Sequence, residues 1–491
     1  MGKALSFLAA DLGAESGRVM AGRFDGERLS LSEAHRFDSR PVRLPDGLHT
    51  DVLRILTEIQ HGLAAAGKDA EVAGVGVDTW GVDFALLDGG GRLFENPYHY
   101  RDCVGGGVME AAFARVPRAE IFGATGVQLM EINTLFQLLR LRERGSAALG
   151  AARRLLMMSD LFSFWLSGRV ANEYTIATTS QCLDVASGRW ATGLLERLGL
   201  PVAIFGDVVP PGTVLGDLLP GVAEEAGLPA PPVIAVGGHD TALAVAAVPA
   251  AGEGFAYVSS GTWSLLGAEI PAPIVGEPAR TANFTNEGGV AGTIRFLKNL
   301  CGLWLVQECR RHWGRQGEPD SYDRLTEMAS SAPAFRSLVD VDDPAFAEPG
   351  DMPQRIQAVC ARSGQPVPQT KGEIVRTALD SLALKYRYVL TQMEGILGRR
   401  LEPLHVVGGG ARNRLLCQLA ADATGRPVVA GPVEATAAGN VLMQALALGH
   451  VRSLAEAREV VRRSFGIATY EPRPGPEAED AYARLPPKVG R

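Results

Sequence analysis

The sequence predicts a mixed α/β protein built from two related halves. Three observations carry that expectation. Leu5 to Phe24 reads as strand, polar glycine-bearing turn and strand; a second unit of the same kind spans Phe255 to Ala268; and both halves interleave further strands with helical periodicities. A chain of 491 residues buries a large core and ordinarily divides into two or three domains.

In chain order, the first unit places Asp11-Leu12-Gly13-Ala14-Glu15-Ser16-Gly17-Arg18 at the bend between two apolar runs, the signature of a hairpin. Strands follow at Val72 to Val77 and Val82 to Leu87, and a helical pattern runs near 132–143. The Pro- and Gly-rich tract 207–232 reads as a loop. It leads into the strand Val233 to Val236, which ends in Gly237-Gly238-His239-Asp240-Thr241 and opens a helix of small residues. Residues 247–254 form a short linker, so the domains are placed at 1–247 and 248–470, with a tail at 471–491. The second half carries the Ser259-Ser260-Gly261-Thr262 turn and helical patterns near 296–311 and 374–396. Its strand His405 to Val407 ends in Gly408-Gly409-Gly410, and a helix follows with Leu415, Leu416 and Leu419 on one face.

A net charge of −7 argues against a nucleic-acid partner. The six cysteines form no C-x-x-C pair and read as reduced thiols rather than a zinc site or disulfide framework. No apolar run approaches the roughly 18 to 20 residues a membrane helix needs, and the run after Lys3 meets Asp11 too early for a secretory signal. The expected compartment is the cytoplasm. Two motifs are decoys. Met1-Gly2-Lys3 with Ser6 matches a myristoylation pattern but continues into an apolar strand. Gly62, Gly67 and Lys68 mimic a phosphate loop, yet Asp69 stands where Ser or Thr should be and a helix precedes them, so Gly67 reads as a helix C-cap.

Phosphoryl transfer needs amides and hydroxyls around the phosphates, a magnesium ion and a base at the attacking hydroxyl. Four segments can supply these parts, and each has a plainer reading beside it. In the first turn, Gly13 and Gly17 admit a phosphate, Asp11 can hold magnesium directly or through water, and Ser16 and Arg18 donate; the alternative is an ordinary hairpin turn. Asp240 sits at the carboxyl end of a strand, where open α/β sheets bind ligands, or else merely caps the following helix. Ser260-Gly261-Thr262 offers hydroxyls from the second half, or is a turn. Gly408 to Gly410 leave room for a base or phosphate, or form a simple glycine turn.

The joint order of these segments resembles the actin-like sugar kinases of the FGGY carbohydrate kinase family. The likeness spans about residues 5 to 470 and rests on specific tracts: Asp78-Thr79-Trp80-Gly81-Val82-Asp83-Phe84, Gly238-His239-Asp240-Thr241, Ser259 to Leu265, Thr285-Asn286-Glu287-Gly288-Gly289, Leu297-Lys298-Asn299 with Gly302-Leu303-Trp304, and Val407 to Gly410 with Ala430 to Ala435. Within the family these tracts are similar to the branch that phosphorylates L-rhamnulose on its 1-hydroxyl; kinases of fuculose, xylulose or a polyol, and a catalytically silent sugar sensor, stand as alternatives.

The resemblance implies two actin-like (ribonuclease H-like) domains of mixed sheets flanked by helices, with the active site in the cleft between them. It implies ATP and Mg2+ as cofactors, a small-molecule sugar as partner, no nucleic acid or membrane, and a monomer or weak homodimer. Residue by residue, it makes Asp240 the general base. It assigns the sugar to Gly81, His239, Asp240, Thr241 and Asn299, the nucleotide to Ala14, Glu15, Ser16, Gly17, Arg18, Thr262, Gln307 and Gly409, and the metal to Asp11. Glu15 departs from the small hydroxyl residue usual there and is expected to point away from the phosphates. Trp80 either stacks on the sugar or packs in the core.

Overall fold

The computed structural model describes residues 4–67, 71–103, 107–473 and 475–485. Its frame is a pair of sheets related by the same sequence of strand directions. In the first, the strands run in the order Thr213–Asp217, Pro232–Ala235, Val72–Thr79, Leu5–Leu12, Ser16–Phe24, Leu29–Asp38. Leu5–Leu12 pairs antiparallel with Ser16–Phe24 and parallel with Val72–Thr79. In the second, Ala256–Ser260 holds the corresponding place, antiparallel to Trp263–Ile270 and parallel to Leu404–Val407. From one edge, both sheets read antiparallel, antiparallel, parallel, parallel, antiparallel; the second adds Thr285–Gly288 at its outer edge. The two hairpins noted in the sequence are therefore equivalent parts of two copies of one architecture, and helices cover the faces of each sheet because its central strands are buried on both sides.

The halves are joined by a shared apolar layer. Phe7, Ala9, Met20 and Phe24 of the first sheet pack with Val245 and Val248 and with Ala438, Val441 and Ala445 of the helix Ala435–Ala447. Two polar links cross the same seam: Asn440 Nδ2 donates to Asp78 Oδ2 at 2.7 Å, and Gln444 Nε2 donates to the Leu8 carbonyl at 2.9 Å. Gly439 brings that helix against Asp240–Ala246, since a Cβ there would lie 2.0 Å from the Leu243 carbonyl oxygen.

Several expectations need correction. The 296–311 tract is not one helix: Ile294–Cys301 is a strand, and the helix Trp304–Arg315 begins after Gly302. Eight pairings with Trp263–Ile270 consume the backbone of 294–301, so sheet partnership overrides the local apolar spacing. The 207–232 tract contains the strand Thr213–Asp217 and the helix Pro220–Ala226, whose proline stands in the first turn where its missing N–H costs nothing. Phe84–Leu87 starts two residues later than expected because Val82 turns at φ 68°. The described part of the tail includes the helix Pro476–Arg484, which buries Ala478 and Ala481 against the second core. Gly67 ends the helix Val52–Gly67, while Met1 to Lys3, Lys68 and Asp69 lie outside the described residues.

Candidate active site

A cleft of about 470 Å³ opens between the two sheets, and both hairpin turns, the strand-end segment and the glycine turn line it. Of the residues singled out above, Asp11, Ala14, Glu15, Ser16, Arg18, Gly81, His239, Asp240, Thr241, Thr262, Asn299, Gln307 and Gly409 all meet there.

The strand end is held by Glu173, whose carboxylate accepts the Gly238 amide at 2.6 Å and those of Thr175 and Ile176 at 2.9 and 3.1 Å. Gly238 fits because a Cβ would lie 2.2 Å from Ser159 Oγ. His239 then caps the helix Asp240–Ala246 by position, and Asp240 is its first residue rather than its N-cap. Asp240 Oδ1 accepts the Thr241 amide at 2.6 Å and the Thr241 hydroxyl at 3.2 Å, leaving the carboxylate a third open to the cleft. Burial raises its pKa above the ordinary carboxylate value; His239 opposes the rise and the charge of Asp11 adds to it.

His239 is fixed from behind. Arg295 Nη2 lies 3.1 Å from its Nδ1, while Arg295 Nη1 lies 3.2 Å from Glu287 Oε2. The same Nδ1 lies 3.3 Å from Glu287 Oε2, and on the other edge of the ring Nε2 lies 3.4 Å from Asp240 Oδ1. Asn299 is tied across the cleft: its backbone and side-chain N–H groups both donate to Gln128 Oε1, at 3.0 and 3.2 Å. Gly81 abuts Thr179, whose oxygen would be 3.0 Å from a Cβ, and the adjoining Val82 amide donates to the same hydroxyl at 3.1 Å. Trp80 is mostly buried, with its indole N–H donated to Asp83 at 2.9 Å and one edge on the cleft.

In the second half, the Thr262 hydroxyl donates to Gln307 Oε1 at 3.0 Å, joining the second hairpin to the helix Trp304–Arg315. The three turn glycines separate by role. Gly408 has φ 83°, Gly410 packs so closely that a Cβ would lie 2.0 Å from Ser260 Oγ, and Gly409 faces open space. Gly17 is not among the cleft-lining residues, and a Cβ there would strike the Phe37 ring at 2.4 Å, so its lack of a side chain admits that ring. Glu15 does not point away. It lines the cleft and pairs with Arg311 of the second half, which is also bonded to Glu308 at 2.6 Å. Arg18 is engaged by Asp11 at 2.7 Å and by Glu434; these two carboxylates outweigh the opposing effect of burial and hold its pKa above the ordinary value.

Asp11 and Asp240 bring two hard oxygen donors to one cavity, and a third carboxyl, Asp78, is paired with Asp11 across neighbouring strands. Burial, followed by the charges of Asp11 and Asp240, pushes Asp78 well above the carboxylate range. The two cleft carboxylates, Asp11 and Asp240, are a donor set that fits a hydrated Mg2+, which accepts one or two carboxylates and keeps its waters. The sequence reading missed Gln128, Glu173, Glu287, Arg295 and Arg311. Glu287 did lie in a quoted tract, but nothing local marks Gln128, whose partner is 171 residues away, and Glu173 caps its own helix locally while its bond to Gly238 spans 65 residues.

Models described as the N-terminal and C-terminal domains of the FGGY family of carbohydrate kinases match residues 7–247 and 256–448. The chain is 46% identical over 478 residues to a rhamnulokinase of Bacteroides thetaiotaomicron, covering 97% of this chain and 98% of that one. It is 40% identical over 485 residues to a rhamnulokinase of Klebsiella pneumoniae, covering 98% and 97%. Among solved structures, a gluconate kinase from Lactobacillus acidophilus superposes with a TM-score of 0.79 at 14% identity, covering 98% of this chain and 96% of that one. A glycerol kinase from Plasmodium falciparum with ADP gives 0.74 at 14% identity, with both chains fully covered. These structural likenesses concern the fold.

Proposed function

The chain belongs to the FGGY family of carbohydrate kinases, and from that premise we propose that it transfers the γ-phosphoryl group of ATP to the 1-hydroxyl of L-rhamnulose, giving L-rhamnulose 1-phosphate and ADP. The observation that carries the reading is the placement of Asp240: a carboxylate a third exposed, lining one cleft together with two hairpin turns from opposite halves of the chain.

In this mechanism Asp240 accepts the proton of the ketose hydroxyl as its oxygen bonds to phosphorus and the bond to the ADP oxygen breaks. Its raised pKa makes it a stronger base while His239, 3.4 Å away, steadies the charged form. Gly81, His239, Thr241 and Asn299 orient the sugar, with Gln128 fixing Asn299. Ala14, Glu15, Ser16, Arg18, Thr262, Gln307 and Gly409 border the nucleotide. Gly17 serves by letting Phe37 support the hairpin. Asp11 would hold a Mg2+ ion, directly or through water, and that ion would supply charge neutralisation at the phosphates. Ser39 steadies the turn that carries these groups by donating its hydroxyl to the Gly13 carbonyl at 2.6 Å. The domain boundary is placed at 247/248 and the compartment is the cytoplasm; no described helix is long and apolar enough to cross a membrane.

ADP release measured with a panel of ketoses and polyols tests the substrate. L-rhamnulose is expected to stimulate it most. Stimulation by L-fuculose or xylulose with none by L-rhamnulose would replace the substrate while leaving the kinase assignment intact.

A further inference from the structure

On the outer side of the first half, the edge strand Leu29–Asp38 packs against the helix Val52–Gly67 and brings together His35, Glu58 and His61. One ligand atom from each lies within 4.8 Å of the others. His35 Nε2 is 2.6 Å from Glu58 Oε2, and His61 Nδ1 is 3.9 Å from the same oxygen. The helix supplies its two members at i and i+3, on one face. The close approach of strand and helix depends on Gly62, where a Cβ would lie 2.3 Å from the Val19 side chain and 3.3 Å from His35 Cβ. The His35 ring is oriented by stacking on Phe37 at 5.7 Å and 29°, and the two imidazoles meet edge to face at 6.3 Å and 82°. None of the three residues lines the cleft.

We propose that His35, Glu58 and His61 bind one divalent transition-metal ion of the zinc class. Two imidazoles and a carboxylate are a familiar ligand set for such an ion, and zinc–ligand bonds of about 2.0–2.1 Å in a tetrahedron place ligand atoms roughly 3.3 Å apart. The observed separations bracket that spacing. His61 is exposed, 66% for its side chain, so it turns inward without disturbing the core and leaves a fourth position to water. Imidazole nitrogen disfavours Mg2+, which prefers oxygen, so this site is chemically distinct from the carboxylates of the cleft. The ion acts as a staple holding an edge strand to the helix beside it. Through Phe37, which covers Gly17, that strand also supports the first hairpin.

The test uses the full chain, stripped with chelator and free of nucleotide. Zn2+ is titrated by calorimetry, with Co2+ visible absorption reporting the coordination. The wild type is expected to bind one Zn2+ per chain and to melt at a higher temperature with Zn2+ present. His61→Ala, a change at an exposed side chain, is expected to weaken binding at least about tenfold and to abolish the thermal shift, and Glu58→Gln to do likewise. Equal binding by wild type and His61→Ala, or no saturable binding by the wild type, overturns the proposal.

Discussion

Asp240 illustrates how a single residue was legible in part. Its position at a strand end and its helix-starting neighbours were both visible in the sequence, and they supported a base and a cap equally. The structure separates the two roles, since Asp240 is the first helical residue and its Oδ1 accepts groups from Thr241. Asparagine keeps an oxygen for those two bonds but cannot take a proton. Asp240→Asn is therefore expected to lower turnover by about 10² to 10⁴-fold with sugar and ATP binding and melting temperature little changed; near-normal turnover would remove Asp240 from the chemistry. Glu15 was legible only as a departure. Its partner Arg311 is 296 positions away, beyond any local pattern. Because Glu15 lines the cleft and holds a cleft guanidinium, Glu15→Ser should, on the proposed reading, remove a repulsion and free Arg311 to meet phosphate. ATP affinity is expected to rise about two- to fivefold, the size of a part-exposed ion-pair effect, and to rise less at high salt. Unchanged affinity at low salt would show that Arg311 stays with Glu308.

Among the elements, those with strong internal periodicity were read well: the expected helices near 132–143 and 374–396 are Thr134–Glu143 and Lys371–Leu397. The latter starts with a capping box, in which Thr370 and Glu373 satisfy each other's backbone N–H groups. Ile294–Cys301 was misread because Arg295 and Lys298, both buried, interrupt the alternation a strand should show. Arg295 reaches His239 and the Gly288 carbonyl, so long-range polar contacts place a charge where the strand pattern calls for an apolar residue. The seam between the helices Ala435–Ala447 and Asp240–Ala246 was not legible either, since small residues in a helix do not name their partner. It rests on Gly439. Gly439→Ala improves intrinsic helix propensity by about 1 kcal/mol, yet the new methyl would stand 2.0 Å from the Leu243 carbonyl oxygen. Backbone must shift to relieve that contact, and the helix that moves carries Asp240 at its start. The variant is expected to melt lower and to lose turnover together; a raised melting temperature with full activity would show that the crossing is slack.

For the whole molecule, the response to acid is a contest between two kinds of buried group. Asp83 is held at about 7, mainly by burial, with the Trp80 and Gln137 hydrogen bonds opposing. A folded pKa above the unfolded one means that Asp83 costs stability as pH rises toward 7, and the cost is relieved on acidification. The histidines act in the opposite sense. Burial, assisted by Arg101, lowers His99 to about 3, and burial, assisted by Arg458 and Arg462, lowers His405 to about 4. Both stay neutral in the folded protein while the unfolded chain takes up protons below about pH 6.5. Their contribution is therefore complete above pH 6.5 and lost as pH falls from there toward 4 and 3. At pH 5 each has lost about 2 kcal/mol, the ordinary value lying about 1.5 pH units above. Opposed terms of this size hide each other in the wild-type curve, so the decisive measurement is a difference. His405 sits in the strand Leu404–Val407 with its Nδ1 unpartnered and its ring edge-on to Phe255 at 5.4 Å. His405→Leu keeps an apolar body there and removes the titration. Denaturant unfolding at pH 8 and pH 5 is expected to give a stability change on acidification about 2 kcal/mol more favourable in His405→Leu than in the wild type. Parallel pH dependences in the two proteins would show that His405 gains a proton in the folded state as readily as in the unfolded chain.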